Sequence, residues 1–272
     1  FPLNCRYLCT YQQFYIYLLV QNIFKQNNMK KILLLAFFVF SVYNTQAQTT
    51  LSEGDIAIVA MSTGEEKFAF VTFVDLAEGT KIYFTDEEAD GDYTIGTGEK
   101  TISYTAPSGG ISAGTVITGV SAGTSTNFSS ENGTLNLGNS GDGILAYQGN
   151  SLGNVTTFLH AIGEDSGDVG SFPSGTLDNG EYILLSNNDG NYNGSTTASK
   201  GDLFTIINSA SNWSVSASQN LSAPGSFTVK VPITSSTGNW SSNSTWSSGS
   251  VPEASDYVTI SAGTLVTVDA SS

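Results

Sequence analysis

Short apolar segments, separated by runs of Gly, Ser, Thr and Asn, follow one another from residue 48 onward. Most alternate apolar and polar side chains, and this two-residue period is typical of β-strands. The turn-forming residues between them favour many strands joined by short connections. The predicted strands are Asp55–Met61, Phe68–Val74, Lys81–Thr85, Thr101–Thr105, Thr115–Val120, Gly143–Gln148, Thr156–Ile162, Tyr182–Leu185 and Ser226–Val231.

The same alternation predicts how these strands are covered. Phe68–Val74 is apolar at both alternating sets of positions, as expected for a central strand buried on both faces. Ile82 and Phe84 share one face of the next strand. A single short helix is predicted, within Ala198–Ala210. The pattern therefore predicts an all-β fold, a β-sandwich, over residues 48–231.

A second module is predicted after the sandwich. Residues 232–238 are rich in Pro, Ser and Thr, which is typical of a linker. Residues 239–272 contain Trp240 and Trp246, followed by two short predicted strands, Tyr257–Ile260 and Leu265–Val268. Their apolar residues would line one interior, as in the first coil of a stacked, β-helix-like module; these residues are Val258, Ile260, Val266 and Val268. We expect this module to be truncated.

The segment before residue 48 has the layout of an export leader. Met29 is followed by Lys30 and Lys31, by the apolar run Ile32–Val42 and by small residues before Gln48. This order is typical of a secretory signal peptide over residues 29–47, cut after Ala47. We expect residues 1–28 to be upstream read-through; a membrane-anchoring segment is the alternative. The expected location is secreted or at the outer cell surface.

Charge and cysteine content exclude several kinds of chemistry. From residue 48 onward the chain has 24 acidic residues, five lysines and no cysteine. The excess of negative charge disfavours nucleic-acid binding, which requires clustered cations. The absence of cysteine from this part excludes disulfides, thiolate zinc sites and cysteine nucleophiles there. No membrane span is expected in the mature chain.

Several stretches carry a resemblance to a known family. They are Gly54–Ala57, Phe68–Val71, Ala77–Asp86, Gly141–Gly149, Asn187–Tyr192 and Asn212–Trp213. On these, residues 51 to about 231 resemble the N-terminal, lamin-tail-like β-domain of large secreted Bacteroidota surface proteins. Trp240–Asp269 resembles the start of an eight-glycine or β-helix-like module in such proteins. The resemblance implies a lamin-tail or immunoglobulin-like sandwich, an exported context and, commonly, type IX secretion.

The strongest candidate metal site is the acidic run that begins at Asp86. Its carboxylates at alternate positions are ligands that Ca²⁺ prefers, so the predicted ligands are Asp86, Glu88, Asp90 and Asp92. Thr97 stands where an EF-hand needs a glutamate, and a solvated acidic loop is the alternative. A weaker acidic group consists of Glu164, Asp165 and Asp168. No other cofactor is predicted.

Catalytic patterns are weak. Gly-x-Ser-x-Gly occurs around Ser121 and Ser151, and Asp142 and His160 complete a hydrolase order after Ser121. That motif requires a strand–turn–helix context, which is missing from the pattern, so chance matches are expected. His160 is expected to be a strand or rim residue. No signature selects a glycosidase pair among the many carboxylates.

The aromatic residues leave a binding role open. They are expected to pack in the core or in turns, and sugar stacking is the alternative; they are Tyr83, Tyr104, Tyr147, Tyr192, Trp213, Trp240 and Trp246. The sequence thus favours a non-catalytic module of a secreted or surface adhesin-like or scaffold protein, whose partner is an extracellular glycan or a surface protein. The alternatives are an accessory domain of a secreted polysaccharide-degrading or nuclease-type enzyme and a carbohydrate-binding module.

Overall fold

In a computed structural model of the protein, the structure describes residues 15–21, 47–120, 126–138, 141–178, 180–253 and 256–269. The chain divides into two compact units, Phe1–Ala47 and Gln48–Ser272. In the first unit, residues 15–21 are helical and largely exposed. The remaining residues predicted as read-through and leader, apart from Ala47, lie outside the described residues. No helix in the described ranges has both the length and the apolar character needed to cross a bilayer.

The second unit is built on two β-sheets, and the all-β prediction is confirmed. The first sheet is antiparallel and has the order β14-β12-β1-β2-β6. Its strands are β1 (Ile56–Ser62), β2 (Lys67–Thr72), β6 (Val116–Val120), β12 (Asp189–Tyr192) and β14 (Trp213–Ser216). A register shift between Ile58 and Ala60 places a β-bulge in β1 where it faces β2.

The second sheet has the order β11-β9-β8-β3-β5-β7, and only β11 and β9 are parallel. Its strands are β3 (Lys81–Thr85), β5 (Thr101–Thr105), β7 (Phe128–Ser130), β8 (Ile144–Ser151), β9 (Asn154–Gly163) and β11 (Ile183–Leu184). Strands β8 and β9 form a long hairpin. Strand β3 pairs with β8 and thereby joins the group β3-β5-β7 to the group β8-β9-β11.

Aromatic side chains fill the space between the two sheets. Phe68 and Phe70 of β2 contact Phe84 of β3, with ring centroids 4.7 and 4.9 Å apart. Phe70 also meets Tyr104 edge-on, and Phe128 closes the cluster. Because Phe68–Val71 is buried at every position, the expectation that this strand is covered on both faces is confirmed. Such rings bury large apolar areas and provide much of the core.

A second, smaller cluster lies apart from this core and contains Tyr83 and Tyr147, which stack at 5.0 Å. Loops cover it, held by the short parallel pair β4 (Ala89–Asp90) and β10 (Gly170–Ser171). Ile82 and Phe84 belong to the main core whereas Tyr83 belongs to this cluster, as the alternation predicted.

One helix lies between β12 and β14 in the chain. Helix α1 (Lys200–Ile207) lies within the predicted range, and the Ser199 side chain caps it by accepting the Asp202 N–H. It lies in the connection between two strands that pair in parallel, β13 (Thr197–Ser199) and β15 (Thr228–Lys230), and this connection also contains β14. Leu203 and Ile207 are buried, which anchors the helix to the core.

The C-terminal part forms two stacked rungs, which we call the coil (residues 232–269). The inner rung consists of β16 (Ile233–Thr234) and β17 (Gly238–Asn239). The outer rung consists of β18 (Val258–Thr259) and β19 (Val266–Thr267) and pairs with the inner rung in parallel. Residues 232–238, predicted as a linker, therefore belong to the paired inner rung. These residues form short strands although few of them are apolar, because backbone carbonyl groups of the outer rung accept their N–H groups.

Candidate functional site

The predicted calcium loop begins with a buried carboxylate. Asp86 follows directly after β3 and is 4% exposed. Its Oδ1 atom accepts the Lys100 N–H at 2.7 Å, and its Oδ2 atom accepts the Asn136 N–H at 2.8 Å. Each oxygen is therefore already bonded to a backbone donor from another segment. Asp86 ties the end of β3 to the start of β5 and to the loop after β7.

The other three predicted calcium ligands differ from Asp86 in their exposure to solvent. Glu88, Asp90 and Asp92 are exposed. The Oδ1 atom of Asp92 accepts both the N–H and the hydroxyl of Thr94, and these bonds lower the pKa of Asp92. In the part of the chain that the structure describes, no three His, Cys, Asp or Glu side chains are grouped so that they could hold a metal ion. Calcium binding here stays a prediction.

A different carboxylate cluster lies beside Asp86, and the sequence analysis missed it. Glu99 is exposed as a residue, but partial burial of its carboxyl group raises its pKa to about 7, and repulsion from Glu88, Asp86 and other acids adds to this. Burial also raises the pKa of Asp142 to about 6, although the N–H groups of Gly138 and Gly143 oppose the rise. Glu99 and Asp142 are remote from Asp86 in sequence, so the spacing of acidic residues along the chain does not predict this cluster.

The second predicted acidic group closes a loop. The Oδ2 atom of Asp168 accepts the N–H groups of Glu164 and Asp165, at 2.8 and 2.9 Å. Asp165 in turn accepts the Gly167 N–H at 2.6 Å. These carboxylates stabilise the turn between β9 and β10 with local backbone donors.

Backbone donors also satisfy acids elsewhere in the molecule. Asp189 in β12 is 1% exposed; it accepts the N–H and hydroxyl of Thr63 and the N–H of Gln219. Glu65 accepts the Leu221 N–H at 2.7 Å. Within the described ranges, by comparison, the ion pairs are Lys67–Glu65, Lys81–Glu131 and Lys200–Asp55. These carboxylates therefore connect loops and strands by accepting hydrogen bonds from backbone N–H groups.

The single histidine is also engaged in the fold. His160 lies in β9, as its alternating surroundings predicted, but it is completely buried in the core and not at a rim. Its Nδ1 atom accepts the Ile58 N–H at 3.1 Å, and its Nε2 atom lies 2.8 Å from Asn208 Oδ1. The ring is therefore neutral, with its proton on Nε2. Burial lowers its pKa to about 4.

Among the described residues, no serine or carboxylate is bonded to this histidine to form a hydrolase arrangement. Ser121 lies outside the described residues. Ser151 ends β8 in the hairpin opposite Asn154, and Asp142 bonds to backbone N–H groups. Both nitrogens of His160 have partners other than a serine or a carboxylate. These groups hold the structure together in the described residues.

The aromatic residues considered for sugar stacking are mostly inside the molecule. Six of them are at most 6% exposed, which is too little for stacking on a ligand; these are Tyr83, Tyr104, Tyr147, Tyr192, Trp213 and Trp246. Their packing in cores and turns is thus confirmed. Tyr93, by contrast, is 47% exposed, and its ring centroid lies 6.0 Å from that of Phe158.

Among the grooves formed by described residues of the second unit, two are open to solvent. One has a volume of about 660 Å³ and is lined by Glu65, Lys67, Val116, Thr118 and the segment 220–225. The other has about 300 Å³ and is lined mostly by amide and hydroxyl side chains, among them Gln48, Thr157 and Gln148. Neither groove is lined by Glu99 or Asp142, the two carboxyl groups whose pKa is raised in the cluster beside Asp86.

Comparison of the chain with known protein families, curated proteins and solved structures finds no match.

Proposed function

We propose that residues 48–269 form a non-catalytic binding or display module of a secreted or cell-surface protein. The observation that best supports this proposal is that the side chains considered for chemistry are used in structural hydrogen bonds. His160, Asp142 and Asp86 all bond to backbone or amide groups that hold strands and loops in place. Side chains committed in this way contribute rigidity, which suits a module that presents a surface.

The acidic surface and the leader support the exported context. The chain has a formal net charge of −15, and charge of one sign keeps a protein soluble and prevents self-association. The leader-like order from Met29 to Ala47 supports transport out of the cytoplasm. Gln48, where the second compact unit begins, directly follows the proposed cut.

A localisation experiment tests the exported context. The chain from Met29, with a C-terminal epitope tag, is produced in a bacterial host, and intact cells, periplasm and medium are probed separately. We expect tagged protein outside the cytoplasm, with Gln48 or Thr49 as its first residue by mass spectrometry. A Leu34→Lys variant, which places a charge in the apolar run, serves as the control and should stay in the cytoplasm. Cytoplasmic retention of both proteins would reject the proposal.

A binding screen tests the other part of the proposal. The purified protein from Gln48 onward is applied to an array of extracellular glycans and, separately, to intact bacterial and host cells. Retention on a glycan or on cells supports a binding module. Release of reducing sugars or nucleotides from polysaccharide or DNA by the same preparation would instead support the enzyme alternative.

A further inference from the structure

Asparagine followed by glycine is a pair in which the side-chain amide can react with the main chain. The backbone nitrogen of the second residue attacks the asparagine Cγ atom, and glycine allows this approach because it has no Cβ atom. The chain contains this pair at Asn132–Gly133, Asn179–Gly180 and Asn193–Gly194. Asn179 lies outside the described residues. The fold holds the other two pairs in different ways.

At the first pair, the fold restrains every reacting group. Asn132 Oδ1 accepts the Thr101 N–H at 2.7 Å, and Asn132 Nδ2 donates to Glu99 O at 2.9 Å. The Gly133 N–H donates to Ser130 Oγ at 3.0 Å. The carboxamide and the attacking nitrogen are therefore both bonded, and these bonds must break before the two groups can react.

At Asn193–Gly194 the same groups are unrestrained. Asn193 is exposed, and among the described residues neither its carboxamide nor the Gly194 N–H has a hydrogen-bond partner. The Asn193 N–H donates to Asn212 O at 2.9 Å, which fixes the chain just before the pair but involves no reacting atom. Rotation of the side chain in solvent can therefore bring its Cγ atom to the Gly194 nitrogen.

Packing explains why a glycine stands at position 194. A Cβ atom there would lie 2.6 Å from the hydroxyl oxygen of Tyr192. Tyr192 is 4% exposed, and its hydroxyl group donates to Ser195 O at 2.6 Å. A larger residue at position 194 would disturb this contact. The fold therefore favours the one residue that leaves the preceding asparagine most open to attack.

We propose that Asn193–Gly194 is a modification site at which the folded protein deamidates without an enzyme, whereas Asn132–Gly133 is protected. The Gly194 nitrogen bonds to Asn193 Cγ and loses its proton, and the Cγ–Nδ2 bond breaks with release of ammonia. Water then opens the cyclic imide. Cleavage of the bond from nitrogen to Cγ gives aspartate, and cleavage of the bond from nitrogen to the main-chain carbonyl carbon gives isoaspartate. The inference is independent of where the protein is located or what it binds.

The two products differ in their effect on the backbone. Both add a carboxylate to the surface. In isoaspartate the main chain passes through the Cβ and Cγ atoms of residue 193, and so it gains one methylene group. Because Ser195 follows closely, its carbonyl group should move away from the Tyr192 hydroxyl. Aspartate leaves the path of the chain unchanged.

Peptide mapping by mass spectrometry tests the proposal. The complete chain is incubated at mildly alkaline pH, in native buffer and in concentrated urea, and conversion at both asparagines is followed over days. In native buffer we expect Asn193 to convert at least about tenfold faster than Asn132, whose hydrogen bonds must first open. In urea the two rates should be similar. Equal rates in native buffer would overturn the proposal, as would conversion of Asn193 about tenfold more slowly in native buffer than in urea.

Three variants test the chemistry and its control by the fold. Asn193→Gln should abolish conversion at position 193, because glutamine would have to form a larger ring. Asn150→Gln, at an exposed asparagine followed by serine, is the matched control and should leave conversion of Asn193 unchanged. Ser130→Ala removes the acceptor of the Gly133 N–H and should speed conversion of Asn132 about fivefold. An unchanged rate at Asn132 would contradict protection by these hydrogen bonds.

Thermal melting tests the effect of the longer backbone. The isoaspartate form, separated by chromatography, should melt at a lower temperature than Asn193→Asp, which has the same charge and no additional methylene group. Asn193→Asp should melt like the parent. Equal melting temperatures for the isoaspartate form and Asn193→Asp would contradict the loss of the contact between Tyr192 and Ser195.

Discussion

His160 accepts a hydrogen bond from the backbone N–H of Ile58, and this bond joins the two sheets of the sandwich at the bulge in β1. A bulge leaves backbone groups outside the strand ladder, and these groups need other partners when they are buried. The imidazole provides one such partner, and its Nε2–H group donates a hydrogen bond to Asn208 Oδ1. The only histidine of the chain thus stabilises an irregularity in a central strand.

Replacing this histidine should destabilise the fold. His160→Phe keeps a ring of similar shape but leaves the buried Ile58 N–H without an acceptor and Asn208 without a donor. We expect a loss of about 2–4 kcal/mol in the free energy of unfolding, measured by urea denaturation. Asn150→Ala, at an exposed residue with one long hydrogen bond, is the control. Equal midpoints for His160→Phe and the parent would show that the bond carries no stability.

The same histidine predicts a pH dependence. Its pKa is lowered from 6.5 to about 4 in the folded protein by burial. The unfolded chain therefore takes up a proton first, and the stability that the neutral ring provides is lost as pH falls from about 6.5 through 4. Subtracting the stability curve of His160→Phe from that of the parent should show this loss, of about 3 kcal/mol. A flat difference between pH 7 and pH 4 would contradict the assignment.

The carboxylate cluster predicts the opposite trend at Glu99. Its pKa is raised to about 7 in the folded state, first by burial and then by Glu88 and Asp86. The folded protein holds this proton more tightly than the unfolded chain, so its contribution to stability is present at low pH and is lost as pH rises through 7. Glu99→Gln should therefore melt at a higher temperature than the parent at pH 8 and at the same temperature near pH 4. A difference that does not change with pH would contradict this.

Substitutions at two glycines can distinguish the cost of backbone strain from the cost of a steric clash. Gly170 has φ 75° in β10, and a Cβ atom there would collide with the Ala89 carbonyl. Gly175 has φ 80°, and nothing lies within 4 Å of the same position. We expect Gly175→Ala to cost about 1 kcal/mol, from the left-handed conformation alone, and Gly170→Ala about 2–4 kcal/mol. Similar thermal shifts for both would show that β4 and β10 separate easily.

Calcium binding near Asp86 is tested by thermal melting. If Asp86, Glu88, Asp90 and Asp92 bind Ca²⁺, millimolar CaCl₂ should raise the melting temperature, since an ion that binds only the folded state stabilises it. The rise should disappear in Asp90→Asn/Asp92→Asn, whose side chains are exposed, and MgCl₂ should have a smaller effect. An unchanged melt would reject the calcium hypothesis.

The sequence predicted the strands that are patterned by burial. Lys81–Thr85 and Thr101–Thr105 coincide with β3 and β5, because each alternates side chains between two environments. Strand β12 was missed because its residues, Asp189 to Tyr192, are typical of a turn. It lies in the first sheet because tertiary partners satisfy its polar groups: Asp189 binds Thr63, and Asn191 bonds to residues 220 and 222.

The candidate site was predictable only in part, for the same reason. Asp86 was singled out from a local run of acids, but its partners, Lys100 and Asn136, are 14 and 50 positions away. Neither they nor Glu99 and Asp142 follow from spacing along the chain. The strands of the coil were likewise missed in residues 232–238, where apolar alternation is weak and pairing across the rungs determines the structure.

The hydrogen bonds between carboxylates and backbone N–H groups have a consequence for the stability of the protein at high salt concentration. Dissolved ions screen attraction between opposite charges at the surface, and the described ranges contain three such pairs, namely Lys67–Glu65, Lys81–Glu131 and Lys200–Asp55. The same ions also weaken the mutual repulsion of its many acids. Concentrated salt should therefore stabilise this fold, so that its melting temperature rises with ionic strength.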